Sequence, residues 1–329
     1  VTVIDLLASA PHYADHLAAV FGALPAEAQG SFMTTHPATA VRIKALGYTP
    51  IEPRRSGNRI LAASYGDLVN AKSLRPPGIA LMEHGAGQSY GGRGGLNHGS
   101  YAGGVHRDGA SLFLHPGEHP AARDRRSYPR ARVEVVGSPH LDTLPKREGP
   151  PGRVVAFTFH FNGPLCPETR TAYPHFFPEI ARLASRFELL GHGHPMLWTM
   201  GRGGQRLVDR YRSAGIEPVQ DFVEVCRRAD LLVFDNTSVG FAFAATGRPV
   251  VVLNSPRYDR RVDHGLRFWE ASNVGVNCDD PARLAECIEE GLADPPARRA
   301  AREAALDLVY AYRSGAGARA ADVLMDWAA

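Results

Sequence analysis

Residues 229–253 read ADLLVFDNTSVGFAFAATGRPVVVL. Leu231–Phe234 is an unbroken apolar run too short for a helix, and Pro249–Leu253 repeats it. Both read as strands buried on two faces. Between them, Asp235–Ser238 is a polar turn and Ser238–Thr246 a short apolar helix closed by Gly247. Strand, turn, helix and strand make the βαβ unit of a parallel sheet.

The same alternation extends outward on both sides. Upstream lie a strand at Val154–Phe159, a helix at Ala172–Arg186, a strand at Phe187–Leu190 ending at Gly191, a helix at Gln205–Ser213, and a helix through Ala229 capped by Asp221. Downstream, Pro281–Gly291 has proline at its start and glycine at its end, the expected helical asymmetry. Open parallel sheets bind ligands beyond the C-terminal ends of their strands. The loops His192–Pro195 and Asp235–Ser238 are therefore the expected functional positions.

The first half is less regular. Strands are expected at Val1–Ala8, Arg59–Ala63, Ile79–Met82, Ser111–Leu114 and Arg132–Val136, with a helix at Tyr13–Leu24. The segment LPKREGPPGR, Leu144–Arg153, carries three prolines and two glycines and marks a linker. The expected organisation is an N-terminal Rossmann-like domain over 1–146, a second over 153–295, and a helical segment over 296–329 packing back across them.

The 329 residues carry 37 basic and 34 acidic side chains, a formal charge of +3. This balance argues against a general nucleic-acid binder. Arg123, Arg125, Arg126, Arg130 and Arg132 form one local basic run, read as a solvated surface loop or a patch for an anionic substrate. Cys166, Cys226, Cys278 and Cys287 show no CxxC spacing, so reduced thiols and a cytoplasmic setting are expected. With no long apolar run, no transmembrane helix is expected, and peripheral membrane association stays open.

Residues 84–104, HGAGQSYGGRGGLNHGSYAGG, hold nine glycines directly after the Ile79–Met82 run. Glycine permits close approach of another molecule, and exposed amides can surround an anion. The segment is neither a GxxxxGK[ST] phosphate loop nor a dinucleotide fingerprint. It reads as a surface loop or as an acceptor-side loop formed by Gly85, Gly87, Gln88 and Ser89. His84, just beyond the strand, suits proton transfer near neutral pH. It is a candidate general base, with substrate hydrogen bonding and a structural role as alternatives.

In the second half, Thr237 or Ser238 is expected to cap the following helix, and with Asp235 and Asn236 to form a phosphate-binding turn. His194, followed by Pro195, is the candidate donor to a diphosphate, whereas His192 is open to a structural role. His160 and Asn162 follow the Val154–Phe159 strand and should face the same site. Arg267, within YDRRVDHGLR at 258–267, is a candidate phosphate ligand. His192 and His194 lack a third ligand at motif spacing, so no metal is expected. HExxH does not occur.

Taken in order, these elements resemble the CDP-glycerol glycerophosphotransferases of teichoic-acid biosynthesis, within the GT-B glycosyltransferase architecture. The resemblance is carried by His84-Gly85, by Gly137–Asp142 (GSPHLD, where the family has GxPRxD), by Ala156–Phe161, by His194-Pro195, by Asp235-Asn236-Thr237-Ser238 after Ala229-Asp230, and by Tyr258-Asp259 and Arg267. It is strongest over 150–275 and partial over 79–144. The chain departs from the family pattern at Glu83, at AGQSYGG after His84-Gly85, at His140 and at Asn236-Thr237.

The resemblance implies a GT-B fold: two Rossmann-like α/β domains facing each other across a cleft. It also implies a CDP- or UDP-linked donor bound mainly by the second domain, with His84 as the base and His194, Thr237, Ser238 and Arg267 on the donor phosphates. The expected activity is transfer of a glycerol-phosphate, polyol-phosphate or sugar group to an acceptor hydroxyl, without cofactor. The acceptor is left open between a glycan and a polyanionic polymer. The alternatives are a UDP-sugar epimerase-like enzyme and a non-catalytic nucleotide- or glycan-binding protein.

Overall fold

The computed structural model describes residues 2–86, 104–149, 152–162, 170–199, 202–258 and 272–328. They divide into two compact units. Unit 1 is built from Val1–Thr143 with Val309–Ala329, and unit 2 from the described part of residues 144–308.

Unit 1 runs β1 (Ile4–Leu7), α1 (Pro11–Phe21), β2 (Gln29–Met33), α2 (Pro37–Ala45), β3 (Pro50–Ile51), β4 (Arg59–Ala62), α3 (Tyr65–Ser73), β5 (Ile79–Met82), β6 (Leu112–His115), α4 (Glu118–Ser127) and β7 (Arg132–Val135). The seven strands form one parallel sheet in the order β3-β2-β1-β4-β5-β6-β7. Strand alternation sorts the apolar side chains. Ile4, Leu6, Leu61, Ala80, Met82, Leu112 and Leu114 pack on one face with α1, whereas Leu7, Ile60, Ile79, Leu81 and Phe113 pack on the other with Leu68 and Ala71 of α3.

The C-terminal helix, Ala316–Ala328, completes the first of these cores with Ala320, Ala321, Leu324 and Ala328. A Cβ at Gly78 would lie 2.8 Å from the Trp327 ring, so the bare glycine backbone lets that ring dock, with the Arg59 guanidinium 4.5 Å over it. Asp142 accepts from the Gly317 amide at 2.7 Å and fixes the start of the helix.

Unit 2 runs β8 (Val154–Thr158), α5 (Tyr173–Arg182), β9 (Glu188–Gly191), α6 (Pro195–Thr199), α7 (Arg202–Ser213), β10 (Glu217–Pro218), α8 (Phe222–Arg228), β11 (Leu231–Phe234), α9 (Val239–Ala244), β12 (Val250–Leu253), β13 (Val276–Cys278), α10 (Leu284–Ala293) and α11 (Pro296–Val309). Six parallel strands lie in the order β10-β9-β8-β11-β12-β13. The order reverses between β8 and β11, which makes that junction the switch point where such sheets bind ligands. Asp230 receives the amides of Gly152 and Val154 at 2.7 and 2.9 Å, pinning the chain where it enters β8.

Several sequence expectations change. Ser238 does not cap α9: it is already helical at φ −68 and ψ −20, and its side chain takes no cap bond. Asp221 does cap α8, accepting from the Val223 amide. The arginine run is no loop, because Arg123, Arg125 and Arg126 belong to α4. Strands β2, β3, β10 and β13 were not anticipated; they are short or interrupted by polar residues.

Close packing of α9 on β11 gives a test. A Cβ at Gly240 would lie 2.3 Å from the buried Phe234 ring. Gly240→Ala gains about 1 kcal/mol of helix propensity but overpacks the core by about 1–3 kcal/mol. We expect a net loss, read as a lower denaturant midpoint; an unchanged or raised midpoint would show that the ring moves aside freely.

Candidate functional site

In unit 2 the exits of β8, β9 and β11 converge around one carboxylate. Asp235, 3% exposed, accepts from the His160 amide at 2.8 Å through Oδ1, and from Thr171 Oγ1 at 2.8 Å and the Ala172 amide at 3.0 Å through Oδ2. Burial raises its carboxyl and the hydrogen bonds, led by the His160 amide, lower it, which leaves it at about 6. Asp235 thus braces the β8–α5 loop. Asn236 and Thr237 are buried beside it, and Ser238 is half-buried.

His160 and His194 meet above this brace. Their ring centroids lie 4.8 Å apart in an edge-on arrangement, and the Phe161 ring lies 4.6 Å from His160 and 4.7 Å from His194. His160 Nδ1 lies 2.7 Å from the Phe161 carbonyl oxygen. A carbonyl only accepts, so Nδ1 carries the hydrogen and Nε2 is the basic edge. His194 is held by its amide on the Phe159 carbonyl at 2.9 Å.

His192 faces the interior of unit 2. It is buried, with Nδ1 2.8 Å from Thr158 Oγ1 and a ring hydrogen bond to the Gln220 backbone. Its carbonyl accepts from the Tyr211 hydroxyl at 2.9 Å. Gly191 makes room for that tyrosine, since a Cβ there would lie 2.5 Å from the ring.

A cavity of about 420 Å³ opens against His160. Phe159, Phe161, Tyr173, Leu197 and Leu207 give it apolar walls, and Asn162, Thr171, Arg206 and Arg210 supply polar groups. Its size and mixed lining fit a nucleoside-sized ligand. The Tyr173 hydroxyl is buried there: burial raises its pKa, and the charge of the nearby Arg210 guanidinium lowers it. Tyr173, Arg206 and Arg210 escaped sequence reading because neither helix carries a motif; only the fold of the β8–α5 and β9–α7 connections brings them together. Arg267 lies outside the described residues.

Unit 1 presents a different constellation. His84 follows β5, with Nδ1 2.5 Å from the Ala63 carbonyl, so its Nε2 is likewise the basic edge. His12 and His16, one turn apart on α1, bring their ring centroids within 5.9 and 6.2 Å of His84, and Tyr13 comes within 4.6 Å. His140, on the 3-10 turn Pro139–Thr143, lies 4.7 Å from His16. Sequence reading singled out only His84; the i, i+4 spacing of His12 and His16 was the available signal. Gly85 is buried beside His84, and Gly87, Gln88 and Ser89 lie outside the described residues.

Glu83 turns away from His84, as strand alternation requires. It pairs with Arg107 Nη1 at 2.5 Å, which also lies 3.4 Å from Asp124, while His115 Nε2 lies 3.0 Å from Asp124. All four are buried. Burial opposes the Arg107 charge, but Glu83 and Asp124 outweigh it and hold the guanidinium protonated. Glu83, His115 and Asp124 are also the one group among the described residues whose ligand atoms cluster as a metal site would, and Arg107 already supplies their positive charge.

The basic run lies elsewhere. Helix α4 follows β6 and runs back toward the N-terminal ends of the strands, so Arg125 and Arg126 on its last turn and Arg132 at the start of β7 lie away from His84. Arg125 is paired with Glu118, and Arg132 with Glu134 and Asp326. No described helix is long and apolar enough to cross a membrane.

The sequence matches no protein-family model and no curated protein. Solved structures do match over the whole chain. The UDP-GlcNAc 2-epimerase of Methanocaldococcus jannaschii, in complex with UDP-GlcNAc and UDP, has a TM-score of 0.63 at 12% identity, covering 99% of this chain and 100% of that one. S. aureus MnaA with UDP has a TM-score of 0.62 at 13% identity, covering 98% and 95%. The wall teichoic acid polymerase TagF, soaked with CDPG, has a TM-score of 0.61 at 11% identity, covering 99% and 88%. The chain thus has the GT-B fold of two Rossmann-like α/β domains.

The buried groups set an acid response. Burial pushes His192 down to about 4 and His12 to about 3, and holds His16 well below the ordinary 6.5. Below about pH 6.5 the unfolded chain binds protons that the folded chain refuses, so stability falls as pH drops. Asp235, raised from 3.8 to about 6, binds its proton earlier in the folded chain and works the other way between those values. Asp67, also raised by burial, acts in the same sense as Asp235, and three histidines against these two carboxyls leave a net loss. We expect a denaturant midpoint that is level above pH 7 and declines below about pH 6.5; a flat profile down to pH 5 is the contrary result.

Proposed function

We propose that the chain transfers a glycerol-phosphate, polyol-phosphate or sugar group from a nucleotide-activated donor to an acceptor hydroxyl. The observation that carries this reading is the aromatic cavity of unit 2, joined to the His160–His194 pair at the sheet's switch point. The nucleoside lies against Phe161 and Tyr173. The diphosphate takes hydrogen bonds from His194 and Arg210, and from His160 once Nε2 is protonated, charge-assisted where the donor is ionised. Thr237 and Ser238 add hydroxyls from the β11–α9 turn, with Asp235 and Asn236 shaping it, and Arg267 adds a further cation. Structures sharing the fold that were solved with UDP, UDP-GlcNAc or CDPG support a CDP- or UDP-linked donor.

In unit 1, His84 is the general base. Its Nδ1 is committed to Ala63, and Nε2 removes the acceptor proton as the oxygen attacks. With a CDP-glycerol-like donor, the new bond forms at the β-phosphorus and CMP leaves. With a nucleotide sugar, it forms at the anomeric carbon and a nucleoside diphosphate leaves. In either case the imidazoles and arginine oppose the charge that develops on the leaving phosphate. Gly85, Gly87, Gln88 and Ser89 are the acceptor loop in this reading, and the protein acts in the cytoplasm.

A second reading is favoured by the likeness to a UDP-GlcNAc 2-epimerase. An epimerase converts its nucleotide sugar without an acceptor; a transferase releases nucleotide only slowly until one is added.

Thermal stabilisation by CDP, UDP, GDP and dTDP tests the donor side. One of them at about a hundredfold over its Kd should stabilise the chain by about 2.7 kcal/mol. His194→Asn and Arg210→Ala should each weaken that nucleotide about tenfold. Stabilisation by none would refute the reading. His84→Ala should lower turnover by about 10²–10⁴-fold while nucleotide affinity is kept; near-normal turnover would remove His84 from its role.

A further inference from the structure

Glu83 and Arg107 bracket the part of the chain on which His84 lies. Glu83 extends the β5 ladder, its amide donating to the Leu114 carbonyl of β6 at 2.9 Å. Arg107 stands 24 residues further along, in the turn that leads into β6. There its amide donates to the Gly104 carbonyl at 3.0 Å, and its own carbonyl accepts the Ala110 amide at 3.4 Å. Gly109 completes that turn at φ +94, a left-handed angle that favours glycine. Helix α4 backs the turn from two points. Tyr128, just past its end, donates its hydroxyl to the Gly104 carbonyl at 3.1 Å, and Asp124 meets Arg107 Nη1 at 3.4 Å. Asp124 in turn meets His115, the last residue of β6, at 3.0 Å.

A buried ion pair is a poor source of stability, because apolar residues of similar volume often serve as well. What this pair supplies is direction. Its two members are 7% and 4% exposed, and their 2.5 Å contact commits the Glu83 side chain to one face of the β5 exit. Strand alternation then sends His84 to the other face, one peptide away and about 3.8 Å between Cα atoms. On that face Nδ1 lies 2.5 Å from the carbonyl of Ala63, which directly follows β4, the neighbour of β5 in the sheet. If the Glu83 carboxylate were released to seek another partner, the turn of its peptide would carry the next residue with it and draw Nδ1 off that carbonyl. The ring would then be open to either tautomer, and only the Nδ1–H form has a basic Nε2.

We propose that Glu83 and Arg107 are positioning residues for His84: their pairing fixes the β5 exit so that the ring keeps Nδ1 on Ala63 and presents a basic Nε2 to the acceptor. The inference rests on the reading of His84 as the general base and says what holds that base in its working form. Neither residue touches the reacting atoms; both act through the backbone they share with His84 or pin beside it. Because the two carboxylates keep the guanidinium protonated against the cost of its burial, the brace does not loosen across the physiological pH range.

The test uses the full chain. Glu83→Met combined with Arg107→Met removes both charges together, so that neither is left buried alone, and leaves Asp124 to His115. Three signals are read: the ring-nitrogen NMR shifts of neutral His84, release of nucleotide from CDP-glycerol or UDP-GlcNAc, and thermal stabilisation by CDP or UDP. The wild-type ring should show the Nδ1–H form alone. The paired variant should show both tautomers and lose about 10–10²-fold in kcat, with the donor KM and the nucleotide stabilisation unchanged. Arg107→Lys should keep the wild-type tautomer and most of the turnover, since Nη1 alone meets both carboxylates and one ammonium can stand in its place. Should the paired variant fail to fold, Glu83→Met alone, in which Arg107 keeps Asp124, reads the same signals. A folded variant with the wild-type tautomer and kcat, or a wild-type ring protonated on Nε2, would overturn the inference. Failure of the base assignment looks different: His84→Ala then keeps near-normal turnover, whichever tautomer the wild-type ring holds.

Discussion

The unit 2 site depends on the Asp235 carboxylate. Two adjacent parallel strands, β8 and β11, diverge at the switch point, and their following loops have no ladder to hold them together. Asp235 supplies that connection by accepting two amides and a hydroxyl from the β8–α5 segment. Burying a carboxylate is costly unless its oxygens are satisfied, so the loop conformation and the burial of Asp235 enforce one another. The placement of His160, the approach of His194 and the wall of the aromatic cavity all follow from that brace.

Unit 1 solves the same problem with a buried ion pair. Glu83 and Arg107 meet on one side of the β5 exit, which directs the next side chain, His84, to the other. The alternation of a strand becomes a division of labour: one residue stabilises the exit, and its neighbour carries the candidate chemistry. Removing either partner would leave a buried charge uncompensated, and such losses exceed the net worth of the pair itself.

Much of the architecture was legible in the sequence. Runs such as Leu231–Phe234 and Val250–Leu253 are buried on both faces and read as strands without ambiguity. Strand β2, Gln29–Met33, was not, because only Phe32 and Met33 are apolar and Gly30 gives its space to the Asp5 side chain. Helix α4 was hidden by its charges; it buries only Pro120, Ala121 and Asp124, too few for an apolar period to stand out. The candidate site was legible one loop at a time. His84, His160 and His194 follow strands and could be found, whereas Tyr173 and Arg210, or His16 and His140, become neighbours only through the fold. The capping expectation for Ser238 failed because its backbone had already joined the helix.

The place of the C-terminal helix bears on how the chain is made. Thr2 Oγ1 donates to the Ala328 carbonyl at 2.8 Å, and Gly78 receives the Trp327 ring, so unit 1 encloses the sequence of unit 2 between its own parts. During synthesis from the N-terminus, every strand of the first sheet leaves the ribosome while one flank of its core is still uncovered. Unit 2 is translated in the interval with all its own strands contiguous. The unit carrying His84 is therefore begun first and completed last, and until residues 316–328 emerge it exposes the apolar surface of α1 and β1 to whatever folding assistance the cell provides.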